Sequence, residues 1–471
     1  MKKLKISAVF WVCLSLVFAF AGCGESGKNG SSFLPIETYE KAAEKYTFID
    51  ETETVSGGLP LPARKIEDRE DFAYALDYLS FYRIGQRIAF DISEDYASSI
   101  SAIYPELCRA AEEAQLVEAY PVTLDSEYYR KWRIVAVTLR IVDVATVPPA
   151  IKDETAPFVL PFDYNPELNA RPSDYDEFSI NNRGQGCVEV ETSEQLWYSV
   201  SKGYIPLSKE GSVAKRIYDE AKSVLRRIIS DDMSEYEKAK SIYNFLCCEV
   251  RYDRETLASG SVDLTSAQCY YLEGVFFNRY AVCDGKAKAY CLLGGMEGLE
   301  VLRATDFNED LEGHAYNYVK VEGKWYLSCS TFGSALLDFG DGETSDKRVI
   351  STYNMFLTDL KTPYGEDWGY DSAMYADIAA SIGKPFDYWA RPIGNTQYDL
   401  TVSSAEEWLE VVGYIAAGRD TLGGTQIEIK LTGVSLDEIR AAAEEAYADY
   451  QMEFVRNRPL EENLYGCIFL K

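Results

Sequence analysis

Apolar positions recur along this chain in two rhythms, and the change from one to the other marks its elements. In the centre, Ile217, Ala221, Val224, Leu225 and Ile228 fall on one face of a helix with a 3.6-residue period. Ser234-x-x-Glu237 then reads as a capping box: the serine oxygen accepts a free backbone N–H and the glutamate reaches back. Tyr236, Ala239, Tyr243, Leu246 and Val250 mark the buried stripe of the helix that follows. An earlier helix is predicted from Thr192-Ser-Glu-Gln-Leu-Trp-Tyr. From His314 to Thr331 the rhythm becomes two, in runs either side of Glu322-Gly323, which predicts a β-hairpin with a tight turn. That turn pairs Lys320 with Trp325 and, by extension, Tyr316 with Cys329 and His314 with Thr331. Alternation puts those last four side chains on one face and Asn317 on the other, making Cys329 a diagonal neighbour of His314.

The two flanks repeat one order of elements. Near the N-terminus a helix is predicted over 70–79, a strand over 86–92, a helix over 96–118 and a strand over 132–141. Near the C-terminus the pattern gives a helix over 406–415, a strand over 426–431, a helix capped by Ser435 and running to about Tyr450, and a last strand over 464–470. These read as two copies of a helix–strand–helix–strand module. Six of the 16 prolines fall between Pro148 and Pro172, among Asp, Glu and Asn, so this stretch is a linker or an extended wrapping segment.

The first residues change the picture of where the chain works. Lys2, Lys3 and Lys5 precede an apolar run from Ile6 to Phe20, which is shorter than the roughly 20 residues of a membrane span. The run ends in Phe20-Ala21-Gly22-Cys23, which resembles the lipobox of bacterial lipoproteins, with Phe20 departing from the usual Leu or Val. The resemblance implies lipidation of Cys23 and a membrane-tethered, extracytoplasmic protein. Gly24 to Ser32 would be a flexible tether.

Composition narrows the function. Hydrophobic content of 47% argues for packed globular structure. The net charge is −29, with no basic stripe to neutralise phosphates, which excludes nucleic acid as an expected ligand. Of eleven cysteines, Cys13 would leave with the signal and Cys23 would take lipid, so nine remain, an odd number. With no Cys-x-x-Cys and a single histidine, neither a zinc site nor any other cofactor is expected.

That single histidine, His314, must serve any Cys–His or Ser–His chemistry. The segment Tyr280-Ala-Val-Cys283-Asp-Gly-Lys-Ala-Lys-Ala-Tyr-Cys-Leu-Leu-Gly reads as a helix with Cys283 at its N-terminus. Helix N–H groups and the dipole favour a thiolate there, lowering the cysteine pKa, and could bind an oxyanion. Cys291, on the same helix, reads as a small buried residue.

Here the chain resembles the transglutaminase-like superfamily. Glu237-Lys-Ala, Arg251-Tyr-Asp, Val282-Cys-Asp-Gly-Lys-Ala287, His314-Ala-Tyr-Asn, Lys324-Trp-Tyr and Tyr353-Asn-Met-Phe-Leu-Thr-Asp359 occur in the family's order over about residues 190–360. The resemblance implies a papain-like α/β domain, with Cys283 as nucleophile and His314 as general base and then acid. One departure concerns the triad. The family continues Trp-Tyr-x-x-Asp-x-Thr, the aspartate orienting the histidine, whereas this chain has Cys329 at that position; Tyr316 also stands where a tryptophan is usual.

The expected architecture is α+β: a papain-like transglutaminase core flanked by two small α/β modules. Its expected divisions are a lipoprotein signal at 1–22, a tether at 23–60, an N-terminal module at 61–145 and a Pro-rich linker at 146–186. The core follows at 187–370, a linker at 371–400 and the C-terminal module at 401–471. Two functions are open: a thiol hydrolase or acyltransferase acting on protein or peptide amides through a Cys283 thioester, or a catalytically silent surface lipoprotein used for binding or as a scaffold.

Overall fold

The computed structural model describes residues 47–49, 65–68, 87–93, 95–96, 122–124, 134–139, 144, 156–172, 187–259, 267–307, 313–340, 344–359, 383, 386, 400–418, 424–456 and 463–470. The signal, Cys23, the helix expected over 70–79 and residues 97–118 of the next one lie outside these residues, as does the tether expected over 23–60 apart from 47–49, which form a strand rather than a flexible tether.

Five strands near the N-terminus form one sheet: β1 (Thr47–Ile49), β2 (Lys65–Ile66), β3 (Arg87–Ile92), β4 (Val122–Leu124) and β5 (Ile134–Leu139). The order is β1-β3-β5-β4, with β2 parallel to β3. The Pro-rich segment that follows is fastened to the body. Phe158 bridges to Val349, β6 (Leu160–Pro161) joins a later sheet, and the Arg171 guanidinium makes a buried two-pronged ion pair with Glu297. Paired guanidinium and carboxylate satisfy each other's hydrogen bonds in geometry that tolerates burial.

After β7 (Cys187–Val190), helix α1 (Ser193–Ser201) opens on a capping box of Thr192 and Gln195. Its first turn carries an unusual buried group. The Ser193 hydroxyl lies 3.2 Å from both Glu194 carboxylate oxygens and 2.9 Å from Glu273 Oε1. One hydroxyl has one hydrogen, so it cannot donate to both carboxylates, and burial raises the pKa of both acids. Strand β8 (Ile205–Ser208) runs parallel to β7. Helix α2 (Val213–Ile228) buries the face expected from its spacing, and α3 (Glu235–Cys248) begins on the Ser234–Glu237 box. Short elements β9 (Arg251–Tyr252), α4 (Arg254–Ser259) and β10 (Tyr280–Ala281) lead to helix α5 (Cys283–Met296). Every residue of α5 from Asp284 to Met296 is buried, so this helix is the axis of the core.

Strands β11 (Val301–Phe307), β12 (Gly313–Val321) and β13 (Lys324–Ser328) form an antiparallel sheet against α5. The hairpin turn has φ of 51° at Glu322 and 76° at Gly323, the double left-handed geometry of a type I′ turn, where glycine carries no steric cost. Lys320 pairs with Trp325 as expected, but the ladder ends at Asn317–Ser328. The expected pairs Tyr316–Cys329 and His314–Thr331 do not form. A strap over 351–358 takes over instead: Leu327 and Thr358 exchange two 2.9 Å hydrogen bonds, and Cys329 N–H donates to the Met355 carbonyl at 2.9 Å. Strands β14 (Ser334–Asp338) and β15 (Lys347–Ser351) form a hairpin leading into this strap.

The C-terminal residues build β16 (Thr401–Val402), α6 (Ala405–Gly418), β17 (Thr425–Leu431), α7 (Leu436–Ala446), β18 (Gln451–Arg456) and β19 (Leu464–Leu470). The order β16-β17-β19-β18 repeats β2-β3-β5-β4 of the first sheet, including the short parallel strand at the end of β3 and β17. β4 and β18, absent from the sequence reading, are the fourth strands. This second sheet is sewn to the core. β17 pairs with β6, the Glu428 carboxylate accepts the Tyr353 N–H at 3.2 and 3.1 Å, and the Gln426 amide donates to the Ser351 carbonyl. The whole is an α+β protein in which the central helix packs against an antiparallel sheet.

Candidate active site

Cys283 starts α5 with no side-chain cap from Val282, leaving the first turn to other partners. The entry is pinned by Val282 N–H donating to the Cys269 carbonyl at 3.0 Å. Gly285 permits this approach, because a Cβ there would lie 2.4 Å from that same carbonyl. Of the eight described cysteines, none is in a disulfide, and Cys283 alone keeps partial exposure while seven are buried. Its sulfur accepts N–H groups from Ala315 and Asp284. The Asp284 carboxylate is turned away to Arg303 at 2.5 Å and Lys288 at 3.0 Å.

Ala315 follows His314 in β12, so the strand that gives Cys283 an N–H also carries the imidazole. The strand is fastened by Asn317, whose side-chain amide donates to the Ala287 carbonyl at 3.0 Å and the Leu302 carbonyl at 3.2 Å. His314 is buried, with Nε2 3.2 Å from Cys329 Sγ. Phe332 stacks on the ring with centroids 4.3 Å apart, although it is itself 46% exposed. Cys329 Sγ also receives the Phe332 N–H at 3.4 Å. Thus Cys329 meets His314 even though the ladder has already ended, whereas Thr331 goes into the turn that leads to Ser334.

The electrostatics correct the sequence reading. Burial pushes the Cys283 thiol up to about 12, outweighing the two N–H donors, while Asp284 and Cys329 push the same way. Burial lowers His314 to about 4. The resting pair is therefore a neutral thiol and a neutral imidazole, not the thiolate that a helix N-terminus alone would favour. Phe332 and the Ala315 N–H were missed from sequence, and the Tyr353–Asp359 motif was seen without its pairing to Leu327 and Cys329. Phe332 carried one signal, a large aromatic set in the turn Thr331-Phe332-Gly333.

Among the described residues no cluster of His, Cys, Asp and Glu could hold a metal ion, and no helix is long and apolar enough to cross a membrane.

Residues 222–328 match the family model of the transglutaminase-like superfamily. The kyphoscoliosis peptidase of Mus musculus is 26% identical over 151 residues, covering 29% of this chain and 21% of the peptidase. Its Homo sapiens counterpart is 27% identical over 152 residues, with coverage of 29% and 21%. The chain thus matches about a fifth of the length of these relatives. A solved structure described as a TGase aligns with a TM-score of 0.24 at 18% identity, covering 35% of this chain and 44% of that one.

Proposed function

We propose that the transglutaminase-like domain of this chain is a thiol-dependent acyl-transfer enzyme acting on protein or peptide amides. The observation that carries the reading is that Cys283, at the start of α5, accepts the N–H of Ala315, the residue beside the chain's one histidine, whose imidazole meets Cys329. In the first half-reaction the Cys283 sulfur attacks the amide carbon while its proton passes to His314. The tetrahedral oxyanion collapses, the C–N bond breaks, and His314 returns the proton to the leaving amine. Water or a second amine then attacks the thioester, restoring the thiol. First-turn N–H groups of α5 are suited to the oxyanion. Because thiol and imidazole rest neutral, the proton moves only when the bound carbonyl makes thiolate attack productive.

The same neutral, buried pair favours a second reading, a silent domain that keeps the shape for binding. Incubation with glutamine- and lysine-containing peptides, followed by intact-mass analysis, separates the two. The enzyme reading expects ammonia or a peptide amine to be released and an acyl adduct on Cys283, both lost in Cys283→Ala. Wild-type protein that neither turns over nor accumulates adduct with any of these peptides sinks it.

The lipobox-like sequence supports placing this activity outside the cytoplasm, tethered through lipid on Cys23. In cells, Cys23→Ala should shift the protein from the membrane fraction to the soluble one or leave it unprocessed. A wild-type protein recovered wholly soluble overturns the anchor.

A further inference from the structure

Among the described residues two large hydrophobic side chains are exposed, Phe277 at 38% and Phe332 at 46%. Phe277 is faced by the Arg216 guanidinium at 4.9 Å, whereas Phe332 stacks on His314 with ring centroids 4.3 Å apart and planes at 29°. The turn that carries Phe332 is closely fastened. Its N–H donates to Cys329 Sγ at 3.4 Å, the Gly333 N–H to the Cys329 carbonyl at 2.9 Å, and the Ser334 N–H to the Thr331 carbonyl at 3.2 Å. Gly333 leaves no room for a Cβ, which would lie 1.8 Å from Tyr243 Oη, and that hydroxyl donates to the Thr352 carbonyl at 2.8 Å. The ring thus covers an imidazole that is only 7% exposed, while nearly half of Phe332 itself stays open to solvent.

The acyl-transfer chemistry gives the two sides of a substrate amide to different groups. Cys283 bonds to the acyl carbon. His314 returns a proton to the leaving nitrogen, or takes one from an incoming amine. A group stacked on His314 therefore borders the amine side. The flank of Cys283 belongs to other aromatics: Tyr252 and Tyr270, both partly exposed, pack in the cluster that contains Val282, the residue before the nucleophile. The Asp284 carboxylate is engaged by Arg303 and Lys288 rather than presented to a substrate. Burial raises the Cys283 thiol and lowers the His314 imidazole, so a charged side chain brought against this pair gives up hydration.

We propose that Phe332 is a specificity-determining residue whose exposed surface receives an aromatic or branched aliphatic side chain on the amine side of the substrate, whether that amine leaves or accepts the acyl group. An apolar side chain laid on the ring takes both surfaces out of water without losing a hydrogen bond, and an aromatic one can also stack. An acidic side chain offers the ring only its stem. Covering the exposed part of a phenyl ring supports a preference of at most about fiftyfold. The catalytic meaning of that preference rests on the acyl-transfer reading, but the binding of an apolar group beside His314 exists or fails independently of it.

The single histidine gives the test a local probe, since ring-¹⁵N histidine labelling of the full chain reports one imidazole. The labelled protein is titrated with the α-amides of phenylalanine, leucine, glutamate and lysine, each the leaving amine of a corresponding substrate. Salt is added to screen the net charge of −29. The phenylalanine and leucine amides should shift the His314 signals with Kd values at least about tenfold below those of the other two. Phe332→Ala should erase that difference, and Phe332→Leu should keep part of it. No shift with any amide, equal affinities, a preference for the lysine amide, or an apolar preference that survives in Phe332→Ala overturns the proposal. If Phe332→Ala does not fold, the wild-type order and Phe332→Leu still decide. The same four residues placed after the scissile amide of a test peptide give the matching order of kcat/KM. Apolar selectivity in a protein without turnover would count against the enzyme reading and leave the subsite standing; turnover indifferent to these residues would do the reverse.

Discussion

The Nε2 atom of His314 lies 3.2 Å from the sulfur of Cys329, so the imidazole has a partner at the position where the family places an aspartate. In a serine protease, loss of the orienting carboxylate costs about 10⁴ in turnover. Cys329→Asp should therefore speed Cys283 alkylation and extend it to lower pH, with that factor as the ceiling. Cys329→Ser should slow it. Alkylation rate against pH for the three proteins, with melts as a folding control, checks this. Three coincident profiles would show that position 329 does not orient His314.

Cys283 keeps partial exposure yet is protonated at rest, its thiol pushed up to about 12. Iodoacetamide should therefore label it before the seven buried cysteines, but with a rate that climbs about tenfold per pH unit from 7 to 10, as thiolate fraction does. Site-resolved mass spectrometry measures this. A plateau at neutral pH would indicate a preformed Cys283 thiolate and contradict the neutral resting pair.

Two buried groups set the pH dependence of stability in opposite directions. Glu194, raised from 4.5 to about 8 chiefly by burial and then by Glu273, loses its stabilising contribution as pH climbs through that window. His314, lowered from 6.5 to about 4 by burial, adds stability over its own window and loses it as pH falls. The slopes oppose each other between 4.5 and 6.5, leaving stability to decline from pH 6.5 to 8. Urea unfolding across that range should show it, and Glu194→Gln should flatten it. A wild-type curve already flat from 6.5 to 8 would contradict the raised Glu194 carboxyl.

Glu428 accepts the Tyr353 N–H, and two residues further on the Met355 carbonyl holds the Cys329 amide. Glu428→Ala strands a buried N–H, which should cost about 1–3 kcal/mol in denaturant unfolding. The His314 ring resonances should shift as well. Stability lost with the imidazole spectrum unchanged would mean that the strap does not transmit to the site.

Local chemistry was the legible part of this chain. Ser234 and Ser435 each precede a glutamate by three residues, and both form the capping boxes that spacing implies. Glu322-Gly323 dictates a turn, and the turn dictates the register as far as Ser328. Beyond Ser328 the partner comes from residues 355–358, and no local pattern announces so distant a contact. β18 is six residues long and was hidden because short alternation is weak. The charge state of Cys283 was misread for a related reason. A helix N-terminus is visible in sequence, whereas the depth of burial that outweighs it depends on everything packed around the helix.

The pairing of β6 with β17 ties Leu160 to Thr425, whose hydroxyl donates to the Leu160 carbonyl at 3.0 Å across 265 positions of chain. Contacts of such separation are slow to close, and a chain made from its N-terminus releases Cys283, His314 and Cys329 well before Glu428. The strap's Tyr353 N–H has no carboxylate to meet until Glu428 arrives. A ribosome-bound chain thus carries every reacting atom without a finished site, and a cut between 360 and 425 would take that carboxylate away again. The geometry makes competence a property of the completed molecule, so a fragment trimmed to the family-like segment should be poor material for an assay.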